Sequence, residues 1–241
     1  MKNIFYTLLI ALFIVSCGNN DSSPESNSGN SSESNKTAVC LQNYNYQYEK
    51  LLTKDDIAKY VTIDEASYKI KISSITGKYG SCSYEWLSDR PDLEIEISGV
   101  IIKGPDKNRV VIKQLDFYTD EQLKLYSQES AIALFDQSYK KLSQQEYNEL
   151  LENLKKQYAD NPTEYERAKG FLDARMNLIY EPVNDLADRA YWKWNDTYGL
   201  ELAVLSGAAH FTIETKVTAQ ADTTLDAAIN LAKEVLAKCN N

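Results

Sequence analysis

Segments that alternate apolar and polar residues at a period of two flank a long block with helix spacing, and this order restricts the chain more than any other feature. Tyr68 to Ser73 reads YKIKIS, Leu93 to Ile97 reads LEIEI, and Ala209 to Val217 alternates in the same way. Such alternation gives a strand one dry face and one wet face. Between the flanks, Tyr147, Leu150, Leu151, Leu154 and Tyr158 recur on one helix face. Strands, helices, strands and a closing amphipathic helix predict an α+β fold. The expected architecture is a single antiparallel sheet covered by helices, with a central helical insertion over about 120–176.

Finer signals fill in this frame. Thr53 caps a short helix with acidic residues in its first turn and Ile57, Ala58 and Val61 on its apolar face. Cys82 to Trp86 reads as a strand, and Val110 to Phe117 either extends the sheet or leads out of it. Helices are expected over Glu121 to Tyr139, Gln144 to Tyr158 and Glu164 to Met176, the last after a break at Asn161-Pro162-Thr163. A short strand, Asn177 to Pro182, then precedes Ala190 to Trp194. The turn Asn195 to Gly199 leads into Leu200 to Leu205. Thr223 or Thr224 caps the final helix, whose stripe is Leu225, Ala228, Ile229, Ala232, Val235 and Leu236. Neither flank completes a core alone, so residues 40–241 are expected to form one domain.

The first residues carry export chemistry. Lys2 precedes an apolar run from Ile4 to Val15, shorter than the roughly 20 residues that span a bilayer. It reads as a signal-peptide core. Ile14-Val15-Ser16-Cys17 resembles the bacterial lipobox. The resemblance implies cleavage after Ser16, a diacylglyceryl group on Cys17 and acylation, palmitate included, of the new N-terminus. Residues 1–16 are then the signal peptide, and 17–39 a lipidated Cys with a disordered Ser/Asn/Gly/acidic tether. Gly18, where an Asp would retain the protein in the inner membrane, points to the outer membrane of the cell envelope by the enterobacterial rule.

Formal net charge is -9, from 26 Lys+Arg against 35 Asp+Glu. An acidic surface repels phosphate backbones, so nucleic acid is not an expected partner. The expected partners are the membrane, through Cys17, and an envelope protein or glycan. In an oxidising compartment Cys40, Cys82 and Cys239 allow three single pairings. Cys40 with Cys82 is favoured: both bound the first structural unit, and closing that loop contributes about 4 kcal/mol in the chain-entropy model. Cys239, on the end of a helix, meets Cys40 instead if the termini lie close.

Two stretches are similar to a group of secreted, actinobacterial-type lipoproteins of unknown function. Cys40, Leu51-Leu52-Thr53-Lys54-Asp55-Asp56-Ile57 and Cys82-Ser83-Tyr84-Glu85-Trp86 resemble the opening of that group. Val183 to Trp192, the two strands after it and the closing helix resemble its finish, with Ala187 where the group usually has Gly. Residues from about 118 to 176 have no counterpart there. The resemblance implies a PsbP-like fold and no established activity, and it supports pairing Cys40 with Cys82.

No catalytic constellation stands out. His210 is the sole histidine, and a lone His is more often structural than catalytic. No Gly-x-Ser-x-Gly elbow, cysteine-pair motif or calcium-loop run occurs, so no metal and no cofactor are expected. Asp89, Asp92, Asp185 and Asp188 sit at breaks or strand starts and could serve as paired carboxylates in a hydrolase of glycan or peptide. Acids at turns are more often caps. Trp86, Tyr191, Trp192, Trp194 and Tyr198 are the candidate ligand-binding residues, because aromatic side chains offer large contact area. The sequence therefore favours a non-enzymatic, envelope-anchored binding or assembly module, with a carboxylate-dependent hydrolase and a structural surface protein as alternatives.

Overall fold

The first and last of the alternating segments join a seven-stranded antiparallel sheet in the computed structural model, which describes residues 30–73, 79–97, 99–126 and 128–239. In chain order the strands are β1 (Lys69–Ser73), β2 (Ser81–Leu87), β3 (Leu93–Ile97), β4 (Val100–Gly104), β5 (Lys107–Phe117), β6 (Glu181–Pro182), β7 (Arg189–Asn195), β8 (Gly199–Ser206) and β9 (Ala209–Lys216). The main sheet runs β1-β2-β5-β9-β8-β7-β6. Its N-terminal and C-terminal halves meet where β5 pairs with β9, so neither half holds the core without the other. The segment β3, expected in the same sheet, pairs only with β4 as a separate two-stranded sheet.

The described helices are α1 (Asn30–Leu41), α2 (Tyr48–Leu51), α3 (Lys54–Ala58), α4 (Asp120–Leu125), α5 (Ala131–Tyr139), α6 (Gln144–Gln157), α7 (Pro162–Met176) and α8 (Ala221–Ala237). The chain divides into two compact units: Asn30–Phe117 with Glu181–Asn241, and the helical segment Tyr118–Tyr180. None of these helices is long and apolar enough to cross a membrane.

In the sheet unit, one face carries Cys82, Tyr84, Trp86, Val110, Ile112, Leu200, Leu202, Val204, Phe211 and Ile213 into the core. On α8, Ala228, Leu231, Ala232 and Val235 are buried in the same cluster, and Leu231 and Val235 each contribute about 2 kcal/mol by leaving water. The α8 start differs from expectation. Gln220 is its N-cap without a side-chain bond, while Thr224 is fully buried and hydrogen-bonded to Thr218 through their hydroxyls at 2.9 Å. Thr53 caps α3 as predicted, in a reciprocal box with Asp56. The strand β5 bulges between Lys113 and Asp116, with Gln114 at φ 58, and the Leu115 N–H donates to the Tyr48 hydroxyl at 3.0 Å.

Two boundaries move. Residues 30–39, expected in the tether, belong to α1, because Thr37, Ala38 and Leu41 are buried and α1 packs on β8 and β9. Packing there overrides a polar composition. The expected helix Glu121 to Tyr139 is two, since Ser130 accepts from the Ala133 N–H and restarts the chain as α5.

In the helical unit, Leu142, Leu150, Leu154, Ala168 and Leu172 form a small core of their own. Capping boxes begin α4 at Thr119 and α6 at Ser143, and Pro162 occupies the first turn of α7.

Candidate functional site

The pairing expected between Cys40 and Cys82 is corrected by the structure: Cys40 is bonded to Cys239, with Cα atoms 5.6 Å apart, and Cys82 is a buried free thiol. The reason is strand alternation. Cys82 on β2 shares the core face with Tyr84 and Trp86 and is 0% exposed. Cys40 sits near the end of α1 and Cys239 just past the end of α8, so the two helix ends meet. Burial raises the Cys82 thiol pKa above its ordinary value, which keeps it protonated and unreactive.

Beside this bridge lies a cleft of about 880 Å³. Its floor and rim come from the loop Val183 to Asp188, the start of β7, Ser206 at the end of β8, Thr37 of α1 and Leu236 of α8. Thr37 precedes Cys40 by one helical turn, and Leu236 precedes Cys239 by the same spacing. The disulfide therefore braces the two helices that wall the cleft. Leu186 is buried in the core and pins the loop, while Asp185 holds a left-handed φ of 60°. Asp188 ties the loop to the β8–β9 turn: its N–H donates to the Leu205 carbonyl at 3.1 Å, and its carboxylate accepts from the Gly207 N–H at 2.6 Å. The rim presents a carboxamide (Asn184), a carboxylate (Asp185) and a guanidinium (Arg189), all exposed. Thr37, Tyr191 and Ser206, which also line the cleft, are buried.

The predicted aromatic surface is not one surface. Trp86 is 2% exposed in the core, away from the cleft, and its indole N–H has no hydrogen-bond partner among the described residues. The strand β7 turns Trp192 and Trp194 inward, where both pack half-buried against the core, and the Trp194 indole donates to Asp196 at 2.7 Å. With four strand spacings between β2 and β7, Trp86 stands about 19 Å from that pair. Tyr198 is 63% exposed on the β7–β8 turn. Tyr191 alone of the five lines the cleft, on the sheet face opposite Trp192 and Trp194, and is itself buried.

Of the four acids weighed for catalysis, Asp185 and Asp188 line the cleft and Asp89 and Asp92 do not. His210 lies half-buried in β9, in register with Asp116 and Leu205. Sequence reasoning missed Thr37, Asn184, Arg189, Ser206 and Leu236. The available signal was the stretch Val183 to Trp192, singled out by resemblance, which folds as the cleft loop and the start of β7. The expected signal peptide, 1–16, the expected lipidation site Cys17 and the part of the expected tether up to residue 29 lie outside the described residues. Compared with known protein families, curated proteins and solved structures, the chain matches none.

Proposed function

We propose that this chain is a lipoprotein of the cell envelope, anchored at Cys17 in the outer membrane, whose folded part is a non-enzymatic binding module for an envelope glycan. The observation that carries the binding role is the cleft, a recess of about 880 Å³ with a carboxylate, a carboxamide, a guanidinium and hydroxyls around an aliphatic floor. That mixture of donors and acceptors suits a hydroxyl-rich ligand, and a pocket fixed by a covalent brace costs little ordering on binding. The anchor is supported by the lipobox residues Ile14 to Cys17. The Cys40–Cys239 bridge supports export, since disulfides persist in oxidising compartments. The finer fold reading is PsbP-like, with the helical segment inserted between β5 and β6, and it rests on the resemblance of the flanking stretches.

Hydrolysis is the second reading, because Asp185 and Asp188 line one cleft. Asp188 is engaged with Gly207, which favours a structural task for it and binding for the site. Titration calorimetry with soluble glycan fragments released from the native envelope separates the cases. A binder takes up fragments without cleaving them and loses about tenfold or more in affinity with Arg189→Ala. A hydrolase releases shortened products and loses turnover with Asp185→Asn. Uptake of envelope peptides alone would reassign the cleft to a protein partner, and no uptake of either would leave a structural surface protein. Mass spectrometry of the native N-terminus tests the anchor independently, and an unmodified Cys17 removes it.

A further inference from the structure

The sheet unit carries two strand edges that the fold leaves open. Among the described residues β1 pairs only with β2, and β3 only with β4, so each shows one row of backbone N–H and C=O groups without a ladder partner. The other end of the main sheet is blunted: β6 is two residues long, and Pro182 has no N–H to give. The ribbon of β3 and β4 is itself incomplete, because two strands alone are marginal in water and a third is what stabilises them.

The two open edges are complementary. Register places Ile70 opposite Tyr84 and Ile72 opposite Cys82, on the core face of the sheet, yet they are 46% and 53% exposed. Lys69 and Lys71 occupy the other face. In the ribbon, register gives one apolar face, Leu93, Ile95, Ile97, Val100 and Ile102, and one charged face, Glu94, Glu96 and Lys103 with Ile101. Both strands have period two, so a register that sets Lys71 against one glutamate of β3 sets Lys69 against the other. The same register brings Ile70 and Ile72 beside the apolar positions of β3, in parallel or antiparallel alignment. Lys103 pairs with Glu94 at 2.5 Å and Lys71 with Glu85 at 2.9 Å, so joining the edges alternates charge across four strands. Lysines on an edge guard it against its own copy, since two β1 strands would set lysine against lysine. An acidic edge escapes that repulsion, and within the chain β1 and β3 are not paired.

We propose that the chain self-associates by edge pairing: the β1 edge of one copy takes the β3 edge of a second copy as its neighbour. The ribbon gains its third strand, and Ile70 and Ile72 gain an apolar neighbour. Each copy carries one edge of each kind, so a twofold pair satisfies both. Backbone hydrogen bonds supply the affinity, and the lysine–glutamate match selects the partner strand. The contact is independent of the anchor and of the cleft.

The test follows the mass of the full chain by sedimentation equilibrium in density-matched detergent, which serves with or without an acyl group on Cys17. The wild-type chain is a dimer whose dissociation constant rises severalfold as salt is raised. Lys69→Glu with Lys71→Glu, and separately Glu94→Lys with Glu96→Lys, set like charges against each other and weaken the dimer by about tenfold or more. An equimolar mixture of the two variants restores it, because reversed edges then meet reversed edges and native edges meet native ones. A monomeric wild-type chain overturns the pairing. So does a dimer indifferent to both reversals, which would assign the contact to another face, or a mixture of folded variants no tighter than either alone. Far-UV dichroism checks the fold of each variant. Should a reversed pair unfold, Lys69→Gln with Lys71→Gln adds no repulsion and carries the same test: the dimer weakens severalfold, and one unmoved by it refutes the proposal.

Discussion

Replacing both bridged cysteines, Cys40→Ala with Cys239→Ala, opens a loop whose ends are 199 residues apart in sequence. The chain-entropy model gives about 5 kcal/mol for closing such a loop at 25 °C. Residual structure in the denatured chain lowers that figure, so a loss of about 3 to 5 kcal/mol is expected. Urea denaturation followed by tryptophan fluorescence reads the right part of the molecule, because Trp86, Trp192 and Trp194 all lie in the sheet unit. With a slope of about 2 to 3 kcal/mol per molar urea, the midpoint falls by roughly 1 to 2.5 M. Cys82→Ala is the matching control. It removes one buried sulfur and costs about 1 kcal/mol by cavity formation. If Cys82→Ala lowered the midpoint as much as the double variant, or the double variant left it unchanged, the bridge and its contribution would both be wrong.

Three further outcomes follow from local geometry. Gly199 has φ +86°, and a Cβ there would meet the Thr215 carbonyl oxygen at 2.5 Å and the Lys216 Cβ at 2.7 Å; Gly199→Ala should cost about 2 to 4 kcal/mol in the same denaturation assay. Burial opposes ionisation of Asp56, yet hydrogen bonds from Lys238, from the Thr53 N–H and hydroxyl, and from Lys59 hold its pKa well below the ordinary carboxylate range. A depressed folded pKa means stability that is complete above the unfolded value near 4 and declines as pH falls below it; Asp56→Asn should cost about 2 kcal/mol at neutral pH and flatten the acid limb of a pH–stability curve. In the helical unit, the Ser143 backbone N–H, Lys140 and the Ser143 hydroxyl lower Glu146 to about 2. Its exposure limits the gain, so Glu146→Gln should shift helix loss, read by far-UV dichroism, by less than about 1 kcal/mol, in full above the unfolded pKa near 4 and fading as pH falls toward the folded value.

Local order was legible in the residues themselves. LEIEI, YKIKIS and the Ala209 to Val217 alternation form strands because period two matches the pleat, and Thr53 caps α3 because its hydroxyl reaches a free N–H wherever a helix begins there. The meander β7-β8-β9 and the closing α8 follow in the same way. The candidate site was less legible. Val183 to Trp192 drew notice as a stretch, but nothing in it announces that Thr37 and Leu236 stand opposite. Trp86 and Trp194 share a residue type with a binding surface, yet the alternation of β2 and β7 turns both toward the core.

What the sequence determined alone was therefore period and capping, both set by neighbours a few residues apart. Tertiary structure decided which cysteine meets Cys40, where a polar stretch becomes helix, and that β3 leaves the sheet. Each depends on contacts across the chain, where burial free energy outweighs local preference and only the completed packing specifies the partner.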